Sequence, residues 1–255
     1  MILQLVRARR RQILIDINTQ KDFLLASGKD CIRNHRRVLA HIRRVMAWAR
    51  SRKAPVISIA DVYPDLGNGN NAFECCIDGS EGQKKVSYTL LPNRISFPAD
   101  GSTDLPRDML RRYKQVILHK RCIDPFDEPR IDRLLSELRA SEFILMGAGL
   151  ESSIKETALG LLQRGKKVTV IIDAVGSHNK RESRMALRKM EAKGARLIDT
   201  RRLAGRSHLM SVGTCSCSRC RGFNRKTPVP PSAFAKAAPD KKADLLWQAE
   251  GTVGP

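Results

Sequence analysis

Apolar residues in this chain fall into short unbroken runs separated by stretches of helical spacing. The runs are RQILIDIN (11–18), APVISIA (54–60), KQVILH (114–119), SEFILMG (141–147), KKVTVIID (166–173) and ARLID (195–199). Each is continuously apolar instead of alternating, which predicts strands buried on both faces. Between them the period changes to that of a helix. From Asp30 to Lys53, residues Ile32, Val38, Leu39, Ile42, Val45, Met46 and Ala49 share one face. Pro129–Arg139 turns Ile131, Leu134, Leu135 and Leu138 inward, Glu151–Arg164 is closed by Gly165, and Lys180–Lys193 by Gly194. Residues 61–82 are rich in Asp, Gly and Asn and predict an irregular loop; residues 83–97 fit neither period.

Alternating buried strands and helices predict an α/β protein, a three-layer α/β/α sandwich around a mainly parallel, Rossmann-like sheet. Such sheets bind ligands beyond the carboxyl ends of their strands. That rule directs attention to Asn18–Asp22, Asp61, His119–Lys120, Gly147–Ser153 and Asp173–His178. The expected organisation is a basic extension over 1–10, one domain over 11–203, and a flexible tail over 204–255, where periodicity gives way to Pro, Ala and Lys.

Charge changes the picture. Among 255 residues, 47 Lys and Arg face 26 Asp and Glu, a formal net charge of +21. Arg36, Arg43 and Arg50 recur every seven residues on the first long helix, flanked by Arg33, Arg37 and Arg44, and acids are all but absent from 31–53. Arg7, Arg9, Arg10 and Arg11 add a basic N-terminus. A cationic stripe of this kind suits nucleic acid or another polyanion; the alternative is a solvated helix face. Aromatic residues are only 5%, which argues against stacking platforms for single strands.

The seven cysteines form no disulfide framework, and a reducing compartment suits them best. The opening apolar run is too short for a signal peptide and no run reaches a membrane span, so a soluble, cytoplasmic protein with no membrane partner is expected.

Three motifs at the strand ends together resemble the isochorismatase-like (cysteine hydrolase) superfamily. NTQKDFL (18–24) resembles the family's D-x-Q-x-D-F-L, and HKRCIDPF (119–126) resembles K-x-x-x-x-x-F. GAGLESSIKETALGLLQRGKKVTVIIDA (147–174) resembles the long G-x-x-T-D-x-C-V segment that runs on to D-A without a gap. The resemblance covers roughly residues 11–203 and implies a hydrolase of small amides, esters or vinyl ethers, with no required cofactor. Members often associate, so a homo-oligomer is among the expectations.

In that family an Asp, a Lys and a Cys form the catalytic set: the thiolate attacks a carbonyl, the Asp moves the proton, and the Lys holds both anionic. Position by position, the Lys falls on Lys120, the Cys on Ser153 and the Asp on Asn18. A serine hydroxyl needs a base beside it, and an amide cannot serve as one. Two rescues are open. Asp16 lies two residues earlier on the same strand face, roughly 6.6 Å further down, and a bulge would bring it to the strand end; otherwise it is a buried carboxylate in a structural pair, for which Lys120 is a candidate partner. Alternatively, vinyl-ether-cleaving members use the Asp as acid and dispense with the Cys. A third outcome is a family member that has lost catalysis and serves as a binding protein.

The resemblance also implies a metal segment D-x-H-P, matched here by Asp61-Val62-Tyr63-Pro64. Tyr63 replaces the imidazole ligand, so no catalytic metal is expected. His119, Gly149, Leu150 and Tyr63 are expected to border the substrate pocket. His119 and His178 are each either a proton carrier or a packed, hydrogen-bonded histidine. Glu151 stands where the family has Asp and would favour the dipole of the following helix. In the tail, Cys215, Cys217 and Cys220 with His208 give four candidates for a structural zinc; free thiols or a redox-sensitive patch are the alternatives.

Overall fold

Every apolar run becomes a strand. The computed structural model describes residues 12–65 and 74–205. Its strands are β1 (Gln12–Ile17), β2 (Val56–Asp61), β3 (Arg94–Phe97), β4 (Gln115–Lys120), β5 (Glu142–Ala148), β6 (Val168–Gly176) and β7 (Arg196–Ile198). The α-helices are α1 (Lys21–Leu24), α2 (His35–Arg52), α3 (Met109–Arg112), α4 (Pro129–Glu137), α5 (Lys155–Gln163), α6 (Lys180–Ala192) and α7 (Thr200–Ala204). The sheet has seven strands in the order β3-β4-β2-β1-β5-β6-β7, and every pairing in it is parallel.

The continuous runs have their physical reason in two cores. On one face Leu14, Ile144 and Ile171 of the sheet pack with Val38, Ile42, Val45 and Met46 of α2. On the other, Ile13, Ile15, Ile57 and Leu145 pack with Ile131 and Leu135 of α4, Ala158 and Leu161 of α5, and Met190 of α6. Successive strand residues point to opposite faces, and here both faces are covered. The architecture is therefore a three-layer α/β/α sandwich.

Three details depart from the pattern read along the chain. Strand β3 lies in the segment that fitted neither period; as the edge strand it is only half covered, so its residues alternate between exposed and half-buried. Helix α2 begins at His35 because the chain before it is tied back to α1 by Asp30 N–H to the Asp22 carbonyl and Ile32 N–H to the Phe23 carbonyl. Helix α5 begins at Lys155, after a wide turn over Leu150–Ile154 in which Ser152 leaves helical geometry. Among the described residues no helix is long and apolar enough to cross a membrane.

Candidate active site

The centre of the site is built at the ends of β1, β2, β4 and β5. Strand β4 ends on Lys120, whose side chain is fully buried. Its ammonium has three donors, and all three are used. They go to the Asp61 carboxylate, to the Cys122 carbonyl at 2.7 Å and to the Ser153 hydroxyl at 3.1 Å. Asp61 ends β2, hydrogen-bonded side by side with β4 so that Asp61 and Lys120 are register partners. Asn18 turns out of β1 with a left-handed backbone (φ 50°), and its Nδ2 donates to Asp61 Oδ2 at 2.7 Å. Asn18, Asp61, Lys120 and Ser153 are each no more than 5% exposed.

A carboxylate thus lies beside Asn18, that of Asp61 from the neighbouring strand. Burial pushes the Asp61 carboxyl above its ordinary range, while the Lys120 ammonium and the Asn18 amide pull it back. Along the chain Asp61 read as part of a metal segment. The signal that could have exposed its other role is its place at the end of a central strand, beside the strand that ends in Lys120.

The motif residues around Asn18 are the scaffold of this arrangement. Gln20 Nε2 donates to the Asp61 carbonyl at 2.7 Å and to the Gln83 carbonyl at 2.8 Å, and its Oε1 accepts the Asp61 N–H at 2.8 Å. Asp22 accepts the backbone N–H of Lys29 at 3.1 Å and of Cys76 at 2.7 Å. Gly82 packs against that carboxylate so closely that any side chain would collide with it. Phe126, at the end of the second motif, fills the space that Gly160 leaves open on α5.

The nucleophile position depends on two glycines. Gly147 has φ 134°, and a Cβ there would lie 1.8 Å from the Ile17 carbonyl oxygen of β1. Gly149 has φ 80° and turns the chain into the Leu150–Ile154 segment, where Leu150 is buried in the core and Ser153 faces Lys120.

Several expectations are corrected. Asp16 does not reach the strand end. It is fully buried and bonded to Lys85 Nζ at 2.8 Å and Ser58 Oγ at 2.9 Å. It is a structural pair, but its partner is Lys85 and not Lys120, because it points to the α2 face while Lys120 points off the strand end. Glu151 does more than face a helix dipole: its carboxylate accepts the backbone N–H of His178 at 2.7 Å and of Asn179 at 3.2 Å. His178 also lies 3.1 Å from Asp30 and 3.7 Å from Glu151. The bond to Glu151 raises its pKa to about 9, against the opposing effect of burial. His119 points away from Lys120 and meets Ser96 Oγ at 3.1 Å; burial lowers its pKa. Tyr63 is buried beside the site, and burial pushes its phenol up.

The donors do not fit a metal. Tyr63 occupies the imidazole position, the Asp61 carboxylate is taken up by Lys120 and Asn18, and among the described residues no three His, Cys, Asp or Glu converge on one point. Of the Arg stripe, Arg43 stacks 4.8 Å from the Tyr88 ring centre, Arg44 donates to the Gly205 carbonyl and Arg50 to that of Tyr88, each at 2.6 Å. Arg33, Arg36 and Arg37 remain on the exposed surface. Cys215, Cys217, Cys220, His208 and the N-terminal arginines lie outside the described residues.

A Lys, a carboxylate and a hydroxyl thus converge at the strand ends of a parallel three-layer α/β/α sandwich. The sequence matches the isochorismatase domain over residues 12–202, and the chain belongs to that family. Its fold is similar to the zinc complex of a pyrazinamidase from Pyrococcus horikoshii, with TM-score 0.58, 18% identity, and coverage of 74% of this chain and 99% of that one. A nicotinamidase from Bacillus subtilis gives TM-score 0.58 and 17% identity over the same 74% and 99%. An N-carbamoylsarcosine amidase from Thermoplasma acidophilum gives 0.54 and 17%, over 74% of this chain and 96% of that one. At these identities the likeness is one of fold. No curated protein sequence matches the chain.

Proposed function

We propose that this protein is an isochorismatase-like hydrolase of small amides, esters or vinyl ethers that works with Ser153, Lys120 and Asp61. The observation that carries this reading is the contact of Lys120 Nζ with both the Asp61 carboxylate and the Ser153 hydroxyl. With Lys120 charged, Ser153 accepts from it and is no nucleophile. Burial favours the protonated form of Asp61. As Oγ bonds to the substrate carbonyl carbon, Lys120 passes one proton to Asp61 and takes the Ser153 proton in its place. The ammonium so formed protonates the leaving amine or alcohol. Lys120 next activates water to release the acid and free Ser153.

A vinyl ether needs only an acid to protonate the alkene carbon, after which water adds; Asp61 supplies that proton and Ser153 is spectator. Asn18 holds Asp61 in place. Gly149 and Leu150 shape the nucleophile turn. A hollow of about 260 Å³, bordered by Val62, His119 and Arg121, lies among the chain neighbours of Asp61 and Lys120, but none of the reacting side chains lines it.

The test is turnover of a panel of amides, esters and vinyl ethers by wild type, Lys120→Ala, Asp61→Asn and Ser153→Ala. Acyl substrates lose turnover in all three variants, and vinyl ethers lose it in Asp61→Asn alone. No turnover by wild type above the Asp61→Asn background, across the whole panel, would overturn the proposal. It would select the second reading, a family member without catalysis that binds a polyanion through Arg33, Arg36 and Arg37, which the near-complete burial of the reacting side chains favours.

A further inference from the structure

At the other end of the sheet, where β2 and β4 begin, a hollow of about 440 Å³ opens between the C-terminus of α2 and the α3–β4 connection. Strand β2 separates it from Asp61 by roughly 16 Å of extended chain. Its floor is apolar: Ala54, Pro55, Leu91, Pro92, Leu110 and Tyr113. Its rim is Arg50, Lys53, Arg111 and Lys114, and no acidic side chain lines it. The acid that reaches the rim is Asp108, exposed and 3.7 Å from Arg111.

Cations at a helix C-terminus ordinarily answer the helix dipole, and Arg50 and Lys53 can be explained so. Lys114 cannot, because it belongs to no helix. Of the last-turn carbonyls of α2, Ala49 already accepts the Ala54 N–H at 2.9 Å and Arg50 the Lys53 N–H at 3.2 Å. Four cations therefore surround an apolar floor. The volume lies within the roughly 300–1,000 Å³ of small-molecule sites.

We propose that this hollow binds a small amphiphilic anion, an apolar chain or ring ending in a carboxylate. The apolar body lies on Leu91, Leu110 and Tyr113, and the headgroup lies among Arg111, Lys114 and Lys53. An alkane body alone gains only the floor, and a cation is repelled by the rim. The site is separate from the catalytic set, so it stands or falls independently of the proposed hydrolysis.

Calorimetric titration of the full chain tests it, with decanoate below its micelle concentration and 4-phenylbutyrate as probes. Saturable binding of decanoate assigns an aliphatic ligand, and of 4-phenylbutyrate an aromatic one. Either binds at least tenfold more weakly to Arg111→Glu/Lys114→Glu, whose changed side chains are exposed, and to an intermediate degree to Arg111→Gln/Lys114→Gln. Decanol binds wild type at least tenfold more weakly than decanoate, and Lys120→Ala binds both acids as wild type does. The proposal is overturned if neither acid saturates, if the charge-reversed protein, shown to be folded by its melting curve, binds as wild type does, if decanol matches decanoate, or if Lys120→Ala abolishes binding and so places the acid at the catalytic set.

Discussion

Gln20 grips Asp61 by both of its backbone polar groups, donating to its carbonyl at 2.7 Å and accepting its N–H at 2.8 Å. A side chain from the turn after β1 thereby fixes the end of β2, which carries the carboxylate facing Lys120. Gln20→Ala leaves both groups buried without a partner, at about 1–3 kcal/mol each. Urea unfolding is expected to show a loss in that range or above, and any turnover should fall with it, since Asp61 shifts.

Asp16 and Lys85 make a buried pair at 2.8 Å, with side chains 0% and 5% exposed. Removing one partner strands the other charge. Lys85→Met should cost about 3–5 kcal/mol, and Asp16→Leu added to Lys85→Met should recover much of it. A double-mutant cycle by chemical denaturation measures the coupling. Additive losses would show that the pair is not coupled.

Stability at alkaline pH should depend on His178. Its folded pKa is raised to about 9 from an ordinary 6.5, chiefly by Glu151. The folded state therefore binds the proton more tightly than the unfolded chain does. The stabilisation is complete below about pH 6.5 and fades as pH rises through 9. The side chain is 37% exposed, so solvent screening holds the effect to within about 1 kcal/mol. Melting curves of wild type and His178→Gln should differ at pH 6 and converge near pH 10; a constant gap would contradict this.

Two glycines with positive φ should respond differently to alanine. At Gly147 a Cβ would overlap the Ile17 carbonyl, which belongs to a central strand and cannot retreat. At Gly165, φ 68°, the space is open. Gly165→Ala should cost about 1–2 kcal/mol, the left-handed backbone alone. Gly147→Ala should exceed about 4 kcal/mol or prevent folding. Thermal unfolding of the two variants side by side gives the comparison.

Ser153→Cys restores the nucleophile type of the family in contact with Lys120. An ammonium 3.1 Å away favours thiolate. The variant is expected to raise amide and ester turnover above wild type and to be inactivated by iodoacetamide faster than the free thiols of wild type react. A thiol no more reactive than the exposed Cys122 would show that Lys120 remains committed to Asp61.

The chain by itself determined six of the seven strands, the main helices and the mainly parallel character of the sheet, because a strand covered on both faces must be apolar at every position. It also marked Lys120 and Ser153, since those motif positions sit at strand ends fixed by local chemistry: Gly149 before the turn, and Phe126 against Gly160 after it. What it left undetermined was who pairs with whom. Strand β3 was hidden because an edge strand needs only half of the apolar pattern. Asp16 and Asp61 are both acids in or at the end of apolar strands, and nothing local tells them apart. Register does so: pairing of β2 with β4 places Asp61 beside Lys120, while the pleat turns Asp16 to the other face, onto Lys85. The partner of a buried charge is set by neighbouring strands distant in sequence, and only the assembled sheet brings them within reach.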